Sequence, residues 1–301
     1  MISRRGILAG WPCLFAASSP AEPLPLERSV IFAGRTARTT FFQPRACPIP
    51  GSPHPAIFLT AAPTTGDDVF WNLHWSESAD LGRTWSEPKP LPGLARIHHP
   101  GGLTEELLVD AGPDYHPPTG SILVLGDNVY YAKDGRTQAR LPGRRWQQPT
   151  YLVRGRDGRW SPLRQLEWDD ARASAMINAG NSQRVILAGG DLLLPLSYAP
   201  EERYQDGPLG AQNSSQAFDR AVAVTRCSFD GKTLAIRSVG TEFRLPVKRG
   251  LIEPSLAAYR GRFYLTIRAE DGHGYASTSS DGLAWEKMRP WSWDNGEAIA
   301  M

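Results

Sequence analysis

The sequence predicts an all-β fold of short antiparallel strands, and three observations predict it. Gly (29) and Pro (26) make up about 18% of the 301 residues, against a usual ~12%, so turns interrupt the chain too often for long helices. Ten Trp and ten Phe stand beside only four Met, an aromatic composition that suits packed sheets. Short apolar runs recur along the chain, each closed by an Asp-Gly, Gly-Gly or Arg-Gly turn, and no run alternates with a convincing helix, which disfavours a parallel α/β fold.

The remaining composition sets bounds. With 21% charged and 41% hydrophobic residues, the chain has enough apolar material for a sizeable core. A net charge of +2 gives no support to a nucleic-acid partner. No stretch of ~18 apolar residues exists, so no membrane-spanning helix is expected. The length fits two domains or one large β domain.

The elements follow in order. Residues 1–21 read as an export leader: Arg4 and Arg5, an apolar run over 6–17, and Ser19-Pro20-Ala21 as a small-x-small cleavage site. Ser3-Arg4-Arg5-Gly6-Ile7-Leu8 is similar to a twin-arginine signal, so a periplasmic or secreted location is expected. Removing the leader removes Cys13. Cys47 and Cys227 allow one disulfide at most, and no Cys-x-x-Cys pair or His-Glu-x-x-His run exists, so neither metal nor cofactor is expected. The folded region is taken as 27–301. Its expected strands are 56–61, 69–75, 121–125, 128–132, 150–154, 184–188, 192–198, 221–228, 255–259, 262–268 and 274–279. The one helical scrap is expected at 102–109.

A repeat runs through these strands. Ser78-Ala79-Asp80-Leu81-Gly82-Arg83-Thr84-Trp85 is one copy, and Ser279-Ser280-Asp281-Gly282-Leu283-Ala284-Trp285 is a second. Ser228-Phe229-Asp230-Gly231-Lys232-Thr233-Leu234 and Arg156-Asp157-Gly158-Arg159-Trp160 are weaker copies. Asp can accept main-chain N–H bonds across a tight turn, Gly takes the positive-φ position, and Trp packs back under the hairpin.

These units resemble the Asp-boxes of the sialidase (neuraminidase) superfamily. The resemblance covers most of 27–301 and implies a β-propeller of four-stranded antiparallel blades, six in the usual member. Asp-boxes lie away from the active site and speak for fold alone. A second stretch extends the likeness: Glu253-Pro254, a strand ending in Arg268, then the Asp281 turn. In the family that Glu polarises a tyrosine nucleophile and that Arg grips the substrate carboxylate, which implies these roles for Glu253 and Arg268. Gln43-Pro44-Arg45-Ala46 stands where the family's Arg-Ile-Pro motif supplies another carboxylate-binding arginine, implying Arg45, and Asp68 (or Asp67) would be the acid/base. The family's third arginine and its tyrosine fall beyond the last matched strand. The ~280 residues after the leader amount to about five blades, so the ring is expected to be incomplete at the C-terminus.

A rival constellation lies mid-chain. His98, His99 and His116 are close in sequence, followed by Tyr130 and Tyr131. A His and a Tyr can abstract an α-proton and protonate a leaving oxygen, the chemistry of a polysaccharide lyase, with Arg144, Arg145 or Arg154 against a uronate. His116 is expected at a central channel, with Tyr130 or Tyr131 as its partner. Gln183-Arg184 could contact a sugar, and 201–216 could cover the channel mouth. The expected function is an exported exo-α-sialidase-like glycoside hydrolase acting on acidic glycans. The alternatives are a lyase or other glycosidase on the same propeller, or a non-catalytic glycan-binding propeller.

Overall fold

A computed structural model describes residues 28, 30, 31, 39–51, 53–66, 68–180, 182–203 and 218–299. The leader, Cys13, Asp67 and 204–216 lie outside the described residues. The fold below is that of Ile31–Met301.

Four antiparallel sheets follow one another like propeller blades. Blade 1 holds β1 (Thr40–Ile49), β2 (Ala56–Thr64), β3 (His74–Ser78) and β4 (Lys89–Pro90). Blade 2 holds β5 (Ile97–His98), β6 (Thr104–His116), β7 (Ser121–Tyr131), β8 (Pro149–Arg154) and β9 (Arg164–Gln165). Blade 3 holds β10 (Met176–Asn178), β11 (Val185–Ile186), β12 (Leu192–Ala199), β13 (Ala221–Phe229) and β14 (Leu234–Phe243). Blade 4 holds β15 (Ile252–Tyr259), β16 (Arg262–Arg268), β17 (Gly274–Ser279) and β18 (Arg289–Pro290). Where length suggested about five blades, the described residues form four, because blades 2 and 3 each take five strands.

The blades adhere through apolar layers, and strand periodicity explains how. Successive side chains of a strand point to opposite faces. On β7, Ile122 and Val124 face a cluster shared with Phe58 and Cys47 of blade 1, while Leu123 and Leu125 face one shared with Leu192 and Leu194 of blade 3. On β12, Leu193 turns the other way, to Leu256, Leu265 and Ile267 of blade 4. Both strands are buried along their whole length, so their sequences do not alternate, and the strands expected at 121–125 and 128–132 are one strand, β7, with Gly126-Asp127-Asn128 buried at its middle. Cys47 and Cys227 are buried free thiols in different layers.

The four repeat turns occupy one position, before the last strand of each blade: β4, β9, β14 and β18. In blade 1, Asp80 accepts from the Thr84 amide at 2.8 Å and the Thr84 hydroxyl at 2.6 Å, and the Trp85 indole N–H donates to the Gly82 carbonyl at 3.0 Å. These hydrogen bonds, the Thr84 hydroxyl first, hold the Asp80 carboxyl down at about 2. Asp281 accepts from the Leu283 and Ala284 amides at 2.8 Å each, and Trp285 repeats the indole bond to Gly282 at 3.0 Å. Asp230 and Asp157 make the same turn with fewer donors.

Two expectations are corrected. Residues 102–109 are no helix: a three-residue 3-10 turn at Pro100–Gly102 leads into β6, where Leu108 joins the layer between blades 1 and 2. Tertiary pairing with β7 overrides the local preference. The strand expected at 69–75 begins at His74, because 68–72 is a loop tied down by side chains of blade 2.

Candidate active site

The strands nearest the centre are irregular in every blade. β1 and β2 slip register between Phe42 and Arg45, β6 and β7 on either side of Val109, and β15 and β16 between Ile252 and Ser255. In blade 3 the corresponding strand is split into β10 and β11, both paired with β12. An extra residue in one strand bends it and re-aims a side chain. Here the re-aimed residues are Gln43, Asp110 and Glu253, all with positive φ (50°, 52° and 48°). Carbonyls displaced from the ladders are collected by neighbouring hydroxyls: Thr60 donates to Ala111 at 3.1 Å, Thr150 to Leu107 at 2.6 Å and Ser197 to Leu251 at 2.9 Å.

These residues open onto one cavity of about 490 Å³. Its polar walls are Arg45 and Gln43 from blade 1, Asp68 from the loop after β2, Asp110 from β6, Asn178 from β10, Gln138 and Gln147, Arg220, Arg249, Glu253 and Arg268. Phe42, Phe70, Val109, Val129 and Ile252 complete it. Seven non-glycine residues among those described have positive φ, and five of them (Gln43, Asp68, Asp110, Arg249 and Glu253) line this cavity. Left-handed backbone at such residues is strained and collects at functional sites.

Each polar group is held from behind. Arg268 donates to Glu253 at 2.8 Å across the β15–β16 pair. Arg249 is ion-paired with Glu270. Arg220 and Arg249 are brought in by a parallel bridge between the Arg220 and Gly250 backbones, with the Leu251 amide donating to the Arg220 carbonyl at 3.0 Å. Gly250 has φ +65°, and a Cβ there would lie 2.3 Å from the Arg220 carbonyl oxygen, so only glycine allows this approach. Burial, then the neighbouring Arg249 charge, lowers Arg220 to about 9. Burial also lowers Arg45, against the pull of Asp110.

The Asp68 loop is clamped from blade 2. The Tyr131 hydroxyl contacts both the Asp68 carbonyl and the Phe70 amide, and Arg96 donates to the Phe70 carbonyl while lying 3.7 Å over the Trp71 ring. Glu106 pairs with Arg96 at 2.9 Å. Beneath the cavity, Asp127 accepts from the Ala179 amide at 2.9 Å, the Gly180 amide at 2.5 Å and the Asn178 amide group at 2.9 Å. It thereby fixes the interruption between β10 and β11.

The structure brings Arg45, Asp68, Glu253 and Arg268 together. It places His116 and Tyr130 elsewhere, away from the cavity lining. His116 is buried at the end of β6, where its Nε2–H donates to the Gly190 carbonyl at 2.8 Å, Nδ1 meets the Thr119 hydroxyl at 2.8 Å, and the ring packs edge-on against Phe229. Tyr130 packs against His99, and burial, then the Glu105 charge, raises its phenol to about 12. His98 and His99 flank the opposite end of β6, bonded to Thr104 and Glu105. At ~3.3 Å per residue, roughly 40 Å of strand separates them from His116. Of the arginines expected near a uronate, Arg154 pairs with Glu77 and Arg145 donates to the Ala173 and Trp168 carbonyls. Arg184 is ion-paired with Asp114.

Sequence reasoning missed Asp110, Gln43, Arg220 and Arg249. Asp110 is half-buried, with its Oδ1 shielded from solvent and without a hydrogen-bond partner among the described residues, as is Gln43 Oε1. Burial, then the Asp68 charge, raises its carboxyl to about 7, against the opposing hydrogen bond of Gln43 and the charge of Arg45. The available signal was Val-Asp-Ala-Gly-Pro, an acidic and proline-containing break in an otherwise apolar strand.

By sequence, the chain matches no family model and no curated protein. Its fold is nevertheless similar to solved sialidases. Trypanosoma rangeli sialidase superposes with a TM-score of 0.54 at 15% identity over 84% of this chain and 38% of that one. The same enzyme in complex with sialic acid matches equally well (TM-score 0.54, 15% identity, 85% of this chain and 41% of that one). The intramolecular trans-sialidase of Ruminococcus gnavus, in complex with oseltamivir carboxylate, gives 0.55 at 11% identity over 88% of this chain and 73% of that one. The chain thus spans well under half the length of the Trypanosoma rangeli enzyme.

Proposed function

We propose that this cavity binds a carboxylate-bearing sugar and hydrolyses its glycosidic bond, as an exported exo-α-sialidase-like glycoside hydrolase. One observation carries the reading: four guanidinium groups, Arg45, Arg220, Arg249 and Arg268, converge with Asp68, Asp110 and Glu253 on a single cavity. Arg45 and Arg268 offer planar forks to the ligand carboxylate. Asp68, on its clamped loop, protonates the leaving oxygen as the glycosidic bond breaks. Glu253 takes the proton of the attacking group, a phenol or a water. The fold likeness to sialidases supports this, and so does the sialic acid held by one of them. The six-bladed ring and the Asp-box identity of the four Asp turns belong to the same reading.

The test is release of the fluorophore from a fluorogenic sialoside by purified protein. Turnover that is lost in Arg268→Ala supports the reading. Binding of sialic acid without turnover would make the protein a glycan-recognition propeller instead, and neither binding nor turnover refutes the acidic-sugar assignment.

A further inference from the structure

We propose that Asp110 is the proton-carrying group of this cavity, taking up a proton as a carboxylate-bearing sugar is seated; the ligand class rests on the reading above. The cavity already holds three carboxyl groups, Asp68, Asp110 and Glu253. A ligand carboxylate adds a fourth, and two of the cavity's four guanidinium groups are already ion-paired, Arg268 with Glu253 and Arg249 with Glu270. The carboxyl with the least cationic support is then the one that gives up its charge.

The geometry selects Asp110. Glu253 has the Arg268 guanidinium at 2.8 Å. Asp110 has no such partner: its Oδ1 is buried without a donor, and the Gln43 side chain supplies its one favourable hydrogen bond. The charged groups facing it are Arg45 from β1, Asp68 from the loop after β2, Glu253 from β15 and Asp127 from β7. Three are acidic. The single cation, Arg45, is also shared with Glu253. A ligand carboxylate that engages Arg45 therefore weakens the one cationic attraction on Asp110 and leaves the Gln43 hydrogen bond as its sole support. Burial and Asp68 already place its carboxyl at about 7 without ligand, so the loss of Arg45 completes protonation in the neutral range. The left-handed backbone at Asp110 (φ 52°) fits this role, because it turns the side chain into the cavity at a position where Asn is also tolerated.

The experiment is calorimetric titration with free sialic acid at pH 7.5 in two buffers of different ionisation enthalpy. The expected result is an uptake of about half to one proton per ligand by the wild type and none by Asp110→Asn. Affinity should fall about tenfold per pH unit above roughly 8 in the wild type, and stay flat in the variant. Binding without buffer dependence, or unchanged uptake in D110N, overturns the proposal while leaving the acidic-sugar reading intact. No binding at all refutes that reading. The carboxyl-carbon NMR titration of Asp110 in the ligand-free protein then decides: a midpoint near 7 supports the proton-carrying role, and one below 5 overturns it.

Discussion

The Tyr131 hydroxyl donates to the main-chain carbonyl of Asp68 at 2.7 Å, reaching from the last residue of β7 into the loop of the preceding blade. The same oxygen accepts from the Phe70 amide at 2.9 Å. One phenol thus holds two main-chain groups of the loop that carries the proposed proton donor. Removing it in Tyr131→Phe leaves both groups without this partner, at a cost of about 1–3 kcal/mol. We expect a melting temperature lower by several degrees and a fall in kcat larger than any rise in KM. A variant with wild-type melting and wild-type kinetics would show that the clamp is idle.

Glu253 and Arg268 make opposite predictions although they touch. In Glu253→Gln, Arg268 loses its competing anion, so affinity for sialic acid should hold or rise while turnover falls at least ~100-fold. In Arg268→Ala, binding itself should weaken about 10- to 100-fold, the value of a charged hydrogen bond. Calorimetry beside the fluorogenic assay separates the two. Parallel loss of binding in both variants would contradict the assignment.

Gly180 tests the packing beneath the cavity. A Cβ there would lie 2.5 Å from the Asp127 carboxylate and 2.9 Å from the Asp110 Cβ. Gly180→Ala should cost about 1–3 kcal/mol, the range of overpacked cores. Gly189, with nothing within 4 Å of the same added atom, is the control, and Gly189→Ala should melt within a degree or two of the wild type.

His116→Ala should lower thermal stability and leave sialic acid binding unchanged, since the ring joins blade 2 to the Gly190 turn of blade 3 and stands clear of the cavity. Ultraviolet detection of unsaturated uronate from acidic polysaccharides tests the lyase alternative directly. Loss of such a product in this variant, with stability intact, would restore that alternative.

Stability should also respond to pH through Asp110. Its folded carboxyl titrates at about 7, above the ~3.9 of an unfolded Asp. The folded state therefore binds the proton more tightly, a contribution fully present below about pH 4 and lost as pH rises through 7. Asp110→Asn should be matched to the wild type near pH 4 and gain on it steadily to pH 8 in urea denaturation. Parallel curves across that range would contradict the elevated value.

What could be read in the sequence divides along the radius of each blade. β12 and β13 were legible because both faces pack on neighbours and most residues are apolar, and β16 because buried residues alternate with more exposed ones, while β7 reads as two strands, 121–125 and 128–132, because Gly126-Asp127-Asn128 interrupts its apolar run. The outer turns were legible because Asp, Gly and Trp each have one structural task there. β1 and β6 were not: Pro44, Pro48, Asp110 and Pro113 break their pattern, and they do so because these strands line the cavity. Arg45, Asp68, Glu253 and Arg268 came from the resemblance of their order along the chain to the sialidase pattern. Asp110 and Arg220 could not, since what distinguishes them is burial and the approach of other blades.

The left-handed residues around the cavity have a bearing on how this protein would respond to selection. Gln43, Asp68, Asp110, Arg249 and Glu253 each hold a backbone conformation that glycine adopts freely, and each is strained by roughly 1–3 kcal/mol. Glycine at any of them would relax the chain and delete a polar wall in one step. A laboratory screen that rewarded heat resistance alone would therefore tend to erase the cavity first, whereas a population kept under demand for its ligand would retain these residues at the expense of robustness.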